Sequence, residues 1–152
     1  MATTMEELDL LREAEGIADA VWEMVKGWHN FERSTVGSQL VRAADSIGAN
    51  IAESYGRYHF GDKIHFLYYA RGSLFETKYW LRRCVQRALM GADQFASDAN
   101  RLENLARSIN AFANSLRRQQ HLSPPAKPTL REPPPSYDTS SPDPISDLSP
   151  KP

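Results

Sequence analysis

This chain has a single cysteine, Cys84, no proline before Pro124, and no apolar run long enough to span a bilayer. The lone cysteine excludes a disulfide framework and a paired-cysteine metal site. The N-terminus is acidic and has no apolar signal core, so the expectation is a soluble, cytoplasmic protein with no membrane partner. The histidines His29, His59, His65 and His121 form no metal-ligand spacing. No glutamate has a histidine three residues on, which a di-metal bundle requires. Neither Arg57 with His65 nor Arg117 with His121 has the spacing of a helical nuclease pair, and no phosphate-binding glycine loop appears. These absences predict a non-enzyme without metal or cofactor, in which His65 and Ser73 serve structure.

Proline placement divides the chain. All ten prolines fall at or after Pro124, in a stretch rich in Ser and Asp whose scattered Leu130, Ile145 and Leu148 make no amphipathic face. Such a segment cannot bury enough apolar area to offset its chain entropy. Residues 1–121 are therefore expected to form one domain and residues 122–152 a disordered, Pro/Ser-rich tail. The tail's Pro125-Ala-Lys-Pro128 and Pro134-Pro-Ser-Tyr137 have the look of polyproline ligands, but they read best as chance occurrences in a proline-rich linker.

Charge is distributed unevenly. Residues 1–32 hold eight acids against Arg12 and Lys26, whereas residues 33–120 hold thirteen bases against seven acids. The net of −1 thus conceals an acidic first segment and a basic remainder, so a basic face is open to the chain despite its near-neutral sum.

Apolar spacing predicts four helices. In the first, Leu10, Ala14, Ile17, Val21, Met24, Trp28 and Phe31 follow alternating steps of four and three. Ser34 or Thr35 is the expected N-cap of the second, which runs to about Tyr55 with Val36, Leu40, Ala44, Ile47 and Ile51 inward and many small residues for close packing. The third, about Lys63 to Met90 with Asp62 as its cap, carries Ile64, Leu67, Leu74, Leu81 and Val85 on one stripe. Phe66, Tyr69, Phe75, Tyr79 and Trp80 cover its other sides. A helix apolar most of the way round predicts burial on more than one side, hence contact with another subunit. Gly91 is expected to end it and Asp93 to start the fourth, where Phe95, Ala99, Leu102, Ala106, Ile109, Ala113 and Leu116 repeat the spacing to about Gln120. Short connections make an all-α, up-down-up-down antiparallel four-helix bundle the economical architecture.

Two segments place charged and amide side chains among small apolar ones: QLVRAADSIGANIAESYGR at 39–57 and FLYYARGSLFET at 66–77. Together they resemble the four-helix bundle proteins of 23S ribosomal RNA intervening sequences, a family that includes the accessory variability determinant of diversity-generating retroelements. The resemblance spans about residues 8–120. It implies a bundle that assembles into a homopentamer; the retroelement members are nucleic-acid-binding pentamers that hold a reverse transcriptase. Val41 stands where an arginine is frequent and Ser54 where a glycine is frequent, and the acidic first helix and the tail also depart from the pattern.

The polar residues form two groups. Arg42, Asp45, Asn50, Glu53, Arg57, Arg71 and Glu76 lie inside the motifs and are expected to build a partly buried network, with Arg71 answering a carboxylate of the second helix. Lys78, Arg82, Arg83, Arg87, Arg101, Arg107, Arg117 and Arg118 are the candidate nucleic-acid-binding set. Phosphate contacts by such residues supply affinity insensitive to sequence and steeply dependent on salt. Two functions follow. One is a non-enzymatic nucleic-acid-binding accessory protein acting as a homo-oligomer, a pentamer by resemblance, on RNA or DNA with a reverse transcriptase. The other is a structural oligomer whose partner is a protein.

Overall fold

The structure, a computed structural model, describes residues 4–123. Helix α1 is Met5–Lys26. Three contiguous pieces, Asn30–Glu32, a π-turn Arg33–Gly37, and Ser38–Gly56, make one rod, α2. Helix α3 is Phe60–Gln86 and α4 is Ala92–Leu122. They pack in the cyclic order α1, α2, α3, α4, with the α2–α3 seam the most extensive and the α1–α4 seam the loosest. This is the expected up-down-up-down bundle. The fourth helix reaches Leu122, and the expected tail from Pro124 onward lies outside the described residues.

Each helix buries the stripe its spacing announced. Leu10, Ala14, Ile17 and Val21 of α1 meet Leu40, Ala44, Ile47 and Ile51 of α2. Leu67, Leu74 and Leu81 of α3 and Leu102, Ile109 and Leu116 of α4 complete the core. Leu105 and Phe112 join it as well, while Val85, Phe95 and Ala106 are only half-buried. Full burial of one such side chain stabilises by about 1.5–3 kcal/mol, so these stripes dominate the fold's energetics.

Helix boundaries differ from expectation where hydrogen bonding overrides spacing. The first helix opens on a capping box: Thr4 Oγ1 accepts from the Glu7 amide (3.2 Å), and the Thr4 amide donates to Glu7 Oε2 (2.8 Å). It stops at Lys26, so Phe31 leaves the seam, falls in the first turn of α2, and is exposed. Ser34 and Thr35 cap nothing. Their hydroxyls donate back to the carbonyls of Asn30 (2.6 Å) and Phe31 (2.7 Å), the local bonding that competes with the regular helical ladder. They do so within the π-turn, whose last residue, Gly37, sits where a Cβ would lie 2.7 Å from Val25 Cγ1.

Asp62 likewise lies in the first turn of α3, with His59 at the N-cap position, where its charge still complements the helix dipole. The same helix ends at Gln86 rather than near Met90. Ala88 takes the left-handed conformation (φ 57°) that glycine usually supplies, and the Leu89 amide donates to the Cys84 carbonyl at 2.8 Å. Gly91 is extended at the N-cap of α4.

Candidate functional site

Within this chain the seven motif residues do not join into one network. Glu53 and Arg57 pair along α2 at 2.6 Å, and the Arg57 guanidinium lies 4.6 Å from the Phe66 ring centroid on α3. Asn50 Nδ2 donates to the Ser46 carbonyl at 2.8 Å, and Glu76 Oε1 accepts from Trp80 Nε1 at 3.3 Å. Arg42 is exposed. The Asp45 carboxyl is pushed up by desolvation and by the neighbouring charge of Asp19 on α1. Arg71 reaches no carboxylate of α2. Its guanidinium lies 5.4 Å from the Phe75 centroid, and its buried Nε has no partner among the described residues. Asn50, Glu76 and the Glu53–Arg57 pair find their hydrogen-bond partners one turn away along their own helix rather than across the seam.

The junction of α2 with α3 is made by other residues. Ser54 is almost fully buried and its Oγ donates to the Lys63 carbonyl at 2.9 Å. The buried Lys63 ammonium donates in return to the carbonyls of Ser54 and Tyr55, both at 3.3 Å. A cation thus sits at the C-terminus of α2, where the dipole and the last-turn carbonyls favour it. The Tyr55 hydroxyl donates to the Glu7 carbonyl and ties α2 to the start of α1. Burial raises the Tyr55 hydroxyl's pKa well above its ordinary value, with the Glu7 charge adding to the effect. Only one signal in the sequence pointed here: Ser54 standing where glycine is frequent.

The eight basic residues divide by partner and by place. Lys78 pairs with Glu103 across the α3–α4 seam at 2.6 Å, and Arg101 pairs with Glu13 across the α4–α1 seam at 3.2 Å. Arg117 bonds the Tyr68 hydroxyl and lies over its ring, Arg107 bonds Asn104, and Arg83 bonds Gln86 at 2.5 Å. The Arg82 guanidinium stands 5.9 Å from the Tyr79 centroid, and Arg87 and Arg118 are exposed. Tyr68, beside Arg117, is separated from Arg87 by roughly 28 Å of helix at about 1.5 Å per residue. The set therefore spreads over both ends of the bundle and forms no single patch.

Three aromatic residues of α3 face outward from the bundle. Tyr69, Phe75 and Tyr79 are 59%, 50% and 44% exposed, and Tyr69 packs edge-on against Phe66. Between them lies Gly72, where an added Cβ would meet nothing within 4 Å. Among the described residues no group of His, Cys, Asp and Glu could hold a metal ion, and no helix is long and apolar enough to cross a membrane.

The architecture is that of a small, all-helical four-helix bundle protein. The chain belongs to the 23S rRNA-intervening sequence protein family, whose model matches residues 6–111. The fold is also that of a crystal structure from Bacteroides thetaiotaomicron, a protein of unknown function from the S23 ribosomal protein family. At a TM-score of 0.67 and 22% identity, the match covers 72% of this chain and 99% of that one. No curated protein matches the chain.

Proposed function

We propose that this protein is a non-enzymatic assembly module that associates with copies of itself through the outward face of α3. The observation that carries this reading is the row Tyr69, Phe75 and Tyr79 around Gly72, large apolar side chains left in water by the bundle's own packing. Charge supports a second copy as the occupant. Asp9, Asp19 and Glu23 are exposed on α1, which lies diagonally across the bundle from α3, whereas Arg82 and Arg83 flank Tyr79. Opposite charges on opposite sides suit a head-to-tail contact, and repetition of such contacts closes a ring when the rotation permits. Light scattering on the full chain is the test, with a mass that is a multiple of 17.2 kDa expected. Phe75→Glu should reduce it to the single-chain mass with unchanged helical circular dichroism. A monomeric wild-type protein overturns the reading.

A second reading, nucleic-acid binding, draws support from the cations that no carboxylate neutralises. Arg82, Arg83, Arg87, Arg107 and Arg118 take part in no ion pair among the described residues. In an assembly they would be repeated, and phosphate contacts of this kind weaken steeply as salt rises. Anisotropy of a labelled RNA or DNA at low salt tests it; absence of binding overturns it.

A further inference from the structure

At the C-terminal end of α1 the surface where α1 meets α2 carries an open groove of about 340 Å³. That volume lies within the size class of small-ligand sites, about 300–1,000 Å³. Val25 and Val41 give it an apolar lining, and Trp22, Lys26, Arg33 and Arg42 surround them. It lies against the π-turn: Arg33 opens that turn, Gly37 closes it, and both line the groove. Irregular turns of this kind occur frequently at functional sites.

The lining contains three cations and no carboxylate. Lys26 is held by Glu23 at 3.2 Å, but Arg33 meets only the neutral Asn30 at 3.5 Å, and Arg42 has no ion pair among the described residues. Trp22, the third large element, is 55% exposed although it adjoins buried Val25 in the groove. An indole sharing a groove with guanidinium groups that no carboxylate holds fits a flat ring joined to anionic groups. An acidic peptide would satisfy the arginines and leave the indole uncovered. A duplex would keep its bases stacked away from it.

We infer that this groove takes one base of a single-stranded nucleic acid, stacked on Trp22, with the adjoining phosphates on Arg33 and Arg42. The inference rests on the nucleic-acid reading above and adds to its phosphate contacts a base contact beside the π-turn. Sequence alone separated these residues, since Arg42 read as part of an internal network and Trp22 belonged to an acidic helix.

The probes are a labelled oligothymidylate and an abasic deoxyribose-phosphate strand of equal length and charge, titrated with the full chain. Stacking of one base is worth about 5- to 150-fold in affinity, so the thymidylate strand should bind at least about fivefold tighter. Trp22→Ala should abolish that preference, and Trp22→Phe should retain most of it. Arg33→Glu with Arg42→Glu should weaken both strands and lower the salt slope by about one per contact. The triple change Arg82→Glu, Arg83→Glu and Arg87→Glu should weaken both strands equally and keep the preference. Equal binding of the two strands by the wild-type protein, or a preference that survives Trp22→Ala, overturns the groove while leaving the nucleic-acid reading in place. Binding of neither strand at low salt overturns both.

Discussion

Replacing Lys63 by methionine tests whether a buried ammonium stabilises the junction of α2 and α3. Methionine keeps an unbranched apolar stem of similar length, so the change removes mainly the charge and its donors. In the folded chain Lys63 is only 5% exposed and donates two bonds, each 3.3 Å long, to the last-turn carbonyls of α2. Those lengths exceed the usual charge-assisted range, which places each bond near the lower end of the roughly 1.5–3 kcal/mol typical of charged partners. The favourable position at a helix C-terminus adds about 0.3–1 kcal/mol. Against this stands the cost of desolvating an ammonium, several kcal/mol if it is fully dry. The Ser54 carbonyl keeps the Arg57 amide at 3.2 Å in the variant. The Tyr55 carbonyl loses its lysine donor, and an unsatisfied buried acceptor costs about 1–3 kcal/mol, which tips the balance.

The expected loss on Lys63→Met is therefore about 2 kcal/mol. Urea unfolding at fixed protein concentration is the assay, and the midpoint should fall with the slope unchanged. Ser54→Ala removes the reciprocal 2.9 Å bond and should cost about 1 kcal/mol. The double variant should lose less than the sum, as residues in one hydrogen-bonded unit couple. If Lys63→Met is neutral or stabilising, desolvation outweighs the bonds and the account of this junction is wrong.

Gly72→Ala should stabilise the isolated bundle by about 1 kcal/mol, since helix propensity rises and nothing obstructs the methyl group. If the proposed α3 face is an interface, the same change should weaken assembly by light scattering. Gly37→Ala should lower the melting temperature through an overpacking cost of about 1–3 kcal/mol, its Cβ falling 2.7 Å from Val25 Cγ1. Burial pushes the Cys84 thiol up to about 11, so iodoacetamide at pH 8 should label it only as fast as the chain opens. Labelling at the rate of a free thiol would contradict the buried placement. The hydrogen bond and charge of Lys78 hold Glu103 below its ordinary value of 4.5, so this pair's contribution is present above that value and is lost as pH falls through the lowered one. Carboxyl chemical shifts should record the depression and its disappearance in Lys78→Ala.

The first helix illustrates how far spacing carries. Leu10, Ala14, Ile17 and Val21 were legible as its core face because a period near 3.6 admits one buried stripe. Phe31 was not legible as an outsider, since hydrogen bonding around Gly27 breaks the helix without breaking the apolar rhythm. For the candidate surfaces, the outward aromatic residues of α3 were visible as an excess beyond what one core could absorb. Arg71 shows the limit on polar residues: a guanidinium has many reachable partners in sequence, and only the packed geometry leaves it over Phe75.

By itself the sequence determined the helices, their buried stripes, the bundle and the family, because these follow from local periodicity and from motifs contiguous in the chain. Only the tertiary structure decided the Ser54–Lys63 clamp, the division of the arginines between paired and unpaired, and the groove that brings Trp22 beside Arg33 and Arg42. Those depend on which faces meet across a seam. A small error in register redirects a side chain to a different neighbour, and no periodicity in one strand of letters records it.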